Sequence, residues 1–214
     1  YFPAIEYIKS KGGKIVRMGD SWMTRMTGID GIIDYPFTQH RSMPMDLFLL
    51  SRCRFLLGCS SGLGTTFAPA FGVPLIIANE TLSCASTVTL PYDNNIPNVD
   101  DARILDAAGY RLLQNTQEDI LEASKEMFHL VETNSIAGPR TREQELFHHY
   151  RSEALETLWD SSPRKNKRKF SELCNSESRI STTYAKRYFF GDRSAAEFAK
   201  MADDYWNDPS EARV

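Results

Sequence analysis

The 214-residue sequence has little cysteine, little net charge and no long apolar run. Its four cysteines, Cys53, Cys59, Cys84 and Cys174, show no Cys-x-x-Cys spacing and have no His-x-x-x-His partner, which excludes the common zinc frameworks. Cys53 and Cys59 lie in apolar runs and are expected to be buried, reduced thiols of a cytoplasmic protein. Arg52 and Arg54 flank Cys53, but on a strand they would point away from it, so no activated thiolate is expected. A formal net charge of −3 argues against a surface that binds nucleic acid as a whole. No apolar run reaches the length of a membrane span, and no secretory signal opens the chain. No fixed-period repeat is visible. The first residues are Tyr1-Phe2-Pro3, without methionine and already in mid-pattern, which reads as a piece of a longer protein.

What is present is ordinary globular composition, 42% apolar and 25% charged. A chain of this length can bury roughly two-thirds of its unfolded surface. Its patterning predicts alternating short strands and helices up to about residue 79. A helical face runs from Pro3 to Ser10 and is stopped by Gly12-Gly13. Lys14–Met18 and Gly31–Tyr35 read as buried strands, Met45–Arg52 as a helix, and Arg54–Gly58 as a strand. Thr65–Phe71 reads as a short helix closed by Gly72, and Pro74–Asn79 as the next strand. This order is that of βαβ units, with a parallel sheet covered on both faces by helices. Residues 80–101, with Pro91, Asn94-Asn95, Pro97 and Asp100-Asp101, read as a long loop. An amphipathic helix is expected over Thr116–Leu130, with Thr116 as its N-cap and Asp119 three residues on; a second is expected over Glu143–Leu158. The chain accordingly divides into a Rossmann-like α/β domain, 1–150, and a helical, partly disordered extension, 151–214.

Two segments fall where an open α/β sheet presents ligands, at the carboxyl ends of its strands. One is Arg17-Met18-Gly19-Asp20. The other is Gly58-Cys59-Ser60-Ser61-Gly62-Leu63-Gly64-Thr65, a small-residue turn leading into a helix. Backbone N–H groups and hydroxyls at a helix start suit a phosphate or diphosphate. The turn is not a P-loop, because no Gly-Lys-Ser/Thr follows, and its glycines do not have the dinucleotide spacing. Gly58–Gly62 does match Gly-x-Ser-x-Gly, so a serine hydrolase using Ser60 stands as an alternative. His129, His148 and His149 are available to it, but their charged helical setting is that of solvated surface histidines. Arg17 ends a buried strand, and its planar fork suits bidentate phosphate recognition. Two readings of Arg17 stand side by side: a clamp on a diphosphate opposite Ser60-Ser61-Gly62, or a structural ion pair with Asp20 or Asp46. The run Arg164, Lys165, Lys167, Arg168 and Lys169 reads as a solvated linker or a weak peripheral contact with an anionic membrane.

The ordered set Gly12–Asp20, Ile33-Asp34-Tyr35, Asp46–Leu49, Cys53–Gly58, Ser61-Gly62-Leu63, Phe71–Pro74 and Asn79 resembles a family of bacterial glycosyltransferases with a GT-B-like donor domain. The match covers residues 1 to about 80 and extends more loosely to about 150. Arg17-x-Gly19-Asp20, Asp46 and Phe55–Ser61 are more distantly similar to the donor site of GDP-fucose-using fucosyltransferases. Phe55–Pro74 also resembles the donor half of heptosyltransferases. The resemblance implies a metal-independent glycosyltransferase whose C-terminal donor half is this chain. It implies a nucleotide diphosphate sugar as donor, a glycan or lipid-linked acceptor and a missing N-terminal acceptor domain. No cofactor, metal or nucleic acid is implied. The donor-binding residues carried over are Arg17, Gly19, Asp20, Asp46, Ser60, Ser61, Gly62 and Thr65. Arg17 would be the catalytic group on the diphosphate, while Asp20 and Asp46 would contact base or sugar or orient Arg17. The expected location is cytoplasmic, with the membrane contact peripheral. A non-catalytic module that binds a nucleotide sugar or sugar phosphate is the alternative from another class. Residues after 160 match no part of the pattern.

Overall fold

A computed structural model of the protein describes residues 1–59, 61–78, 115–146 and 181–182. They belong to two units. Residues 1–78 and 115–137 fall in the first, and 138–146 with 181–182 in the second. Among the described residues no helix is long and apolar enough to cross a membrane.

The first unit opens with helix α1, Phe2–Ser10, which carries Pro3 in its first turn, where a missing N–H costs nothing. Its end is a two-bond glycine cap. Gly12 N–H donates to Lys9 O and Gly13 N–H to Ile8 O, both at 2.9 Å, with Gly12 at φ +78°. A Cβ on Gly13 would lie 2.5 Å from Ile8 Cγ2, so the chain can fold back onto α1 there only without a side chain. Strand β1, Ile15–Arg17, follows and pairs in parallel with β2, Ile32–Asp34, in the register Ile15–Ile32, Val16–Ile33 and Arg17–Asp34. A 3₁₀ turn over Tyr35–Phe37 leads to helix α2, Met43–Arg52. Ser42 caps α2 by accepting from Met45 N–H, and Pro44 sits in the first turn.

Strand β3, Leu56–Gly58, pairs in parallel with β4, Leu75–Ile77. Between them lie a π-turn, Leu63–Phe67, and the short helix α3, Ala68–Ala70. Gly64 is buried, and a Cβ there would meet Leu56 Cδ2 at 3.4 Å; glycine lets the π-turn press onto β3. Adjacent residues of β3 point to opposite sides, as the period of two requires. Leu56 packs with Leu50, Ala68 and Val73, the side of α2 and α3. Leu57 packs with Ala4, Ala78 and Ile120, the side of α1 and of helix α4, Gln117–Glu132. Helices therefore cover β3 on two faces. The first turn of α4 has a full capping box: Thr116 Oγ1 accepts from Asp119 N–H, and Asp119 Oδ2 accepts from Thr116 N–H at 2.7 Å. Phe128 of α4 and Tyr7 of α1 meet edge to face at 5.9 Å.

In the second unit the chain is helical over 142–146, with Leu146 buried. Thr141 and Gln144 exchange backbone-to-side-chain hydrogen bonds across its start, at 2.9 and 3.3 Å. This is the beginning of the helix expected over Glu143–Leu158; the rest of that helix, the loop 80–101 and the basic run 164–169 lie outside the described residues.

The α/β class and the parallel pairing expected from the sequence are observed. The strands form two separate two-stranded ladders among the described residues, not one continuous sheet. Two expectations about cysteine are corrected. Cys59 is exposed and not buried, because it lies just past the end of β3, in the turn. Cys53 is not on a strand but at the C-cap of α2, where its thiol donates to Leu50 O at 3.1 Å. Burial pushes the Cys53 thiol up from its ordinary pKa.

Leu50 is fully buried between α2, α3 and β3, so Leu50→Ala is expected to cost about 2–5 kcal/mol of stability. Thr116→Ala, which removes the hydroxyl half of a part-buried cap, is expected to cost about 1 kcal/mol. Urea unfolding followed by circular dichroism reads both.

Candidate functional site

The carboxyl ends of β1 and β2 lie side by side, because parallel pairing puts Arg17 opposite Asp34. Arg17 Nη1 donates to Asp34 Oδ1 at 2.9 Å. The two side chains are only 16% and 19% exposed, so the pair is shielded from water and salt far more than a surface pair. Asp34 Oδ2 is used as well, accepting from Met26 N–H at 2.9 Å. One carboxylate thus ties together β1, β2 and the 18–31 connection. Among the described residues no hydrogen bond or ion pair links Arg17 to Asp20 or to Asp46. The ion pair foreseen for Arg17 exists, but its partner is Asp34.

Asp20 is occupied elsewhere. Its carboxylate accepts from Trp22 N–H at 3.1 Å and from Arg41 Nη2 at 3.2 Å. Asp20 O accepts from Met23 N–H, closing a tight turn. Gly19 begins that turn at φ +144°, a conformation other residues rarely adopt, and a Cβ there would lie 2.1 Å from Met23 Sδ. The turn holds Trp22 outward, 93% exposed. Arg25, further along, stacks over the Phe37 ring at 4.5 Å. The hydrogen bond from Trp22 N–H, with lesser help from Arg41 and Ser21, holds the Asp20 carboxyl below its ordinary pKa.

Asp46 lies in the first turn of α2, where a carboxylate meets the positive end of the helix. It sits beside the Tyr35 phenol. Tyr35 is buried at the end of β2; its oxygen accepts from Ser42 N–H at 3.0 Å and its proton faces Ser42 O at 3.1 Å. Burial, then the Asp46 carboxylate, raise the Tyr35 pKa above its ordinary value.

After β3, Ser61 and Gly62 are both exposed, and Ser61 Oγ accepts from Gly64 N–H at 3.2 Å. Ser61 thereby serves the first turn of the helical stretch in the manner of an N-cap. Thr65 lies in the π-turn. Ser60 and the Thr65 side chain lie outside the described residues. Met18, next to Arg17, and Leu56 of β3 both pack against the Leu50–Ala68–Val73 cluster. His129 is exposed on α4.

Asp34, Tyr35 and Arg41 are thus the residues that sequence reasoning passed over. Asp34 and Tyr35 stood inside a quoted strand; the register that puts Asp34 beside Arg17 is a pairing between segments 17 residues apart. Arg41 carried no signal. Among the described residues no cluster of three or more His, Cys, Asp and Glu side chains is arranged to hold a metal ion. No protein-family model, curated protein or solved structure matches the chain.

Because the main cause of the low Asp20 pKa is a backbone donor, Arg41→Ala is expected to leave most of the depression in place. A carboxyl ¹³C titration by NMR checks this. The sign follows from linkage: a depressed folded-state pKa contributes stability above the unfolded value, and that contribution is lost as pH falls through the folded value.

Proposed function

We propose that this chain is the donor-binding part of a glycosyltransferase that uses a nucleotide diphosphate sugar. The observation that carries the proposal is Arg17. Its guanidinium is nearly buried at the carboxyl end of a parallel strand, and among the described residues Asp34 is its one hydrogen-bonding partner, through one nitrogen. A guanidinium has five N–H donors, so most of the fork remains for an anion. The small-residue turn after β3 supports the same assignment. It enters a helical stretch at Gly62, whose first N–H groups carry partial positive charge.

In this proposal the two parallel ladders belong to a Rossmann-like domain, with the donor across the carboxyl ends of its strands. Arg17, with the Ser60-Ser61-Gly62 turn and Thr65, faces the diphosphate; Gly19 shapes the turn beside it. Asp20 and Asp46 stand at the rim for base or sugar. In transfer, the bond from the sugar's anomeric carbon to the diphosphate oxygen breaks and a bond to the acceptor oxygen forms. The acceptor gives up its proton, and the diphosphate leaves with additional negative charge. Arg17 and the helix start stabilise that charge without calling on a metal. The acceptor, a glycan or a lipid-linked sugar, would be presented by a further domain. The basic residues 164–169 would make at most a peripheral membrane contact.

In a thermal-shift panel of GDP, UDP and ADP and their sugars, one base family is expected to raise the melting temperature. Saturation at about 100 times Kd corresponds to roughly 2.7 kcal/mol. Arg17→Met is expected to shrink the shift strongly and to leave a weak affinity that calorimetry still reads. A protein that binds none of these ligands by calorimetry is not a donor domain. One that binds them but transfers no sugar, when assayed with its acceptor domain present, is a binding module. Labelling of Ser60 by a fluorophosphonate would point to a hydrolase.

A further inference from the structure

The Arg17–Asp34 pair is not built as a closed structural salt bridge. In a closed arginine–carboxylate pair both oxygens face the fork and two parallel N–H bonds form. Here only Asp34 Oδ1 faces Arg17, at 2.9 Å, and Oδ2 is turned to Met26 N–H, also at 2.9 Å. The backbone amide of residue 26 thus restrains the carboxylate, and the carboxylate anchors one guanidinium nitrogen. Strand register supplies the third constraint, since Arg17 and Asp34 are direct partners in the ladder. Neither side chain is free to rotate away without breaking a shielded contact.

Resting on the donor site proposed above, we infer that Asp34 is its positioning residue. Asp34 anchors Arg17 by one nitrogen, so that the remaining N–H groups of the fork meet a diphosphate with less further ordering. An unrestrained arginine loses rotamer freedom on binding an anion; one already anchored loses less. Asp34 touches neither donor nor acceptor. Its negative charge also opposes an anion nearby, so simple electrostatics would make its removal strengthen binding. Positioning predicts the reverse sign.

The test is a double-mutant cycle between Arg17→Met and Asp34→Asn, read as calorimetric affinity for GDP, UDP, ADP and inorganic pyrophosphate. Asp34→Asn keeps the shape and can still accept one hydrogen bond, but it loses the charge-assisted contact. It is expected to weaken binding about ten-fold in the wild-type background and to change nothing in the Arg17→Met background, a coupling within the range for contacting residues. Unchanged or tighter binding in the wild-type background overturns the inference, as does an equal loss in both backgrounds, which marks a general structural effect. Asp34→Glu retains the charge but is one methylene too long to keep both contacts. If Asp34→Asn does not fold, Asp34→Glu is expected to bind more weakly, and wild-type affinity for it overturns the inference. Wild-type protein that binds none of the four probes overturns the donor site itself, and Asp34's role with it. Binding that depends on Arg17 but not on Asp34 leaves the donor site standing and removes only the positioning role.

Discussion

A single carboxylate, that of Asp34, ties together both strands of the first ladder and the segment that joins them. It receives Arg17 from β1 and the amide of Met26 from the connection, and it is itself the last residue of β2. Two charges this shielded are costly to bring out of water, and removing one partner alone leaves the other exposed to that cost. The parallel register is therefore tied to the pair: a slip by one residue would place Arg17 beside Ile33 or Tyr35 and turn every side chain to the other face. The turn at Gly19–Met23 and the exposed Trp22 depend on the same anchoring, since Met26 holds the far end of their segment.

Around this anchor the core is divided in two. The Leu50–Ala68–Val73 cluster receives Leu56 and Met18, and the Ala4–Ala78–Ile120 cluster receives Leu57. The division follows from β3 alone, whose neighbouring leucines face opposite ways. Met18 lies immediately after Arg17, so the first cluster joins the end of β1 to the layer under the small-residue turn. The polar edge and the apolar core are in this sense one construction.

The local elements were legible because their signals are local. Pro3 and Gly12-Gly13 bracket α1, and Thr116 with Asp119 starts α4; each works through bonds within a few residues, while α2 starts at Met43, ahead of the Met45 expected, because Ser42 caps it. The short apolar runs Ile15–Arg17, Leu56–Gly58 and Leu75–Ile77 stand out against the glycine turns beside them. Cys59 is exposed although an apolar run precedes it, because it is the first residue past β3 and belongs to the small-residue turn at the surface.

Composition, capping and periodicity were sufficient to place the helices and strands of the described residues to within a few positions and to show that these residues are α/β, since those depend on contacts between near neighbours. They also pointed to Arg17 as a residue of interest, because an arginine ending an apolar strand is conspicuous in any fold. The partner of that arginine was beyond their reach. Asp20, Asp34 and Asp46 are equivalent acids along the chain, and Asp20 is the nearest to Arg17. Folding gave Asp20 to Arg41 and Trp22, Asp46 to the neighbourhood of Tyr35, and Asp34 to Arg17. Pairing between strands, not distance along the chain, made that choice, and a parallel ladder brings together residues that no local pattern relates.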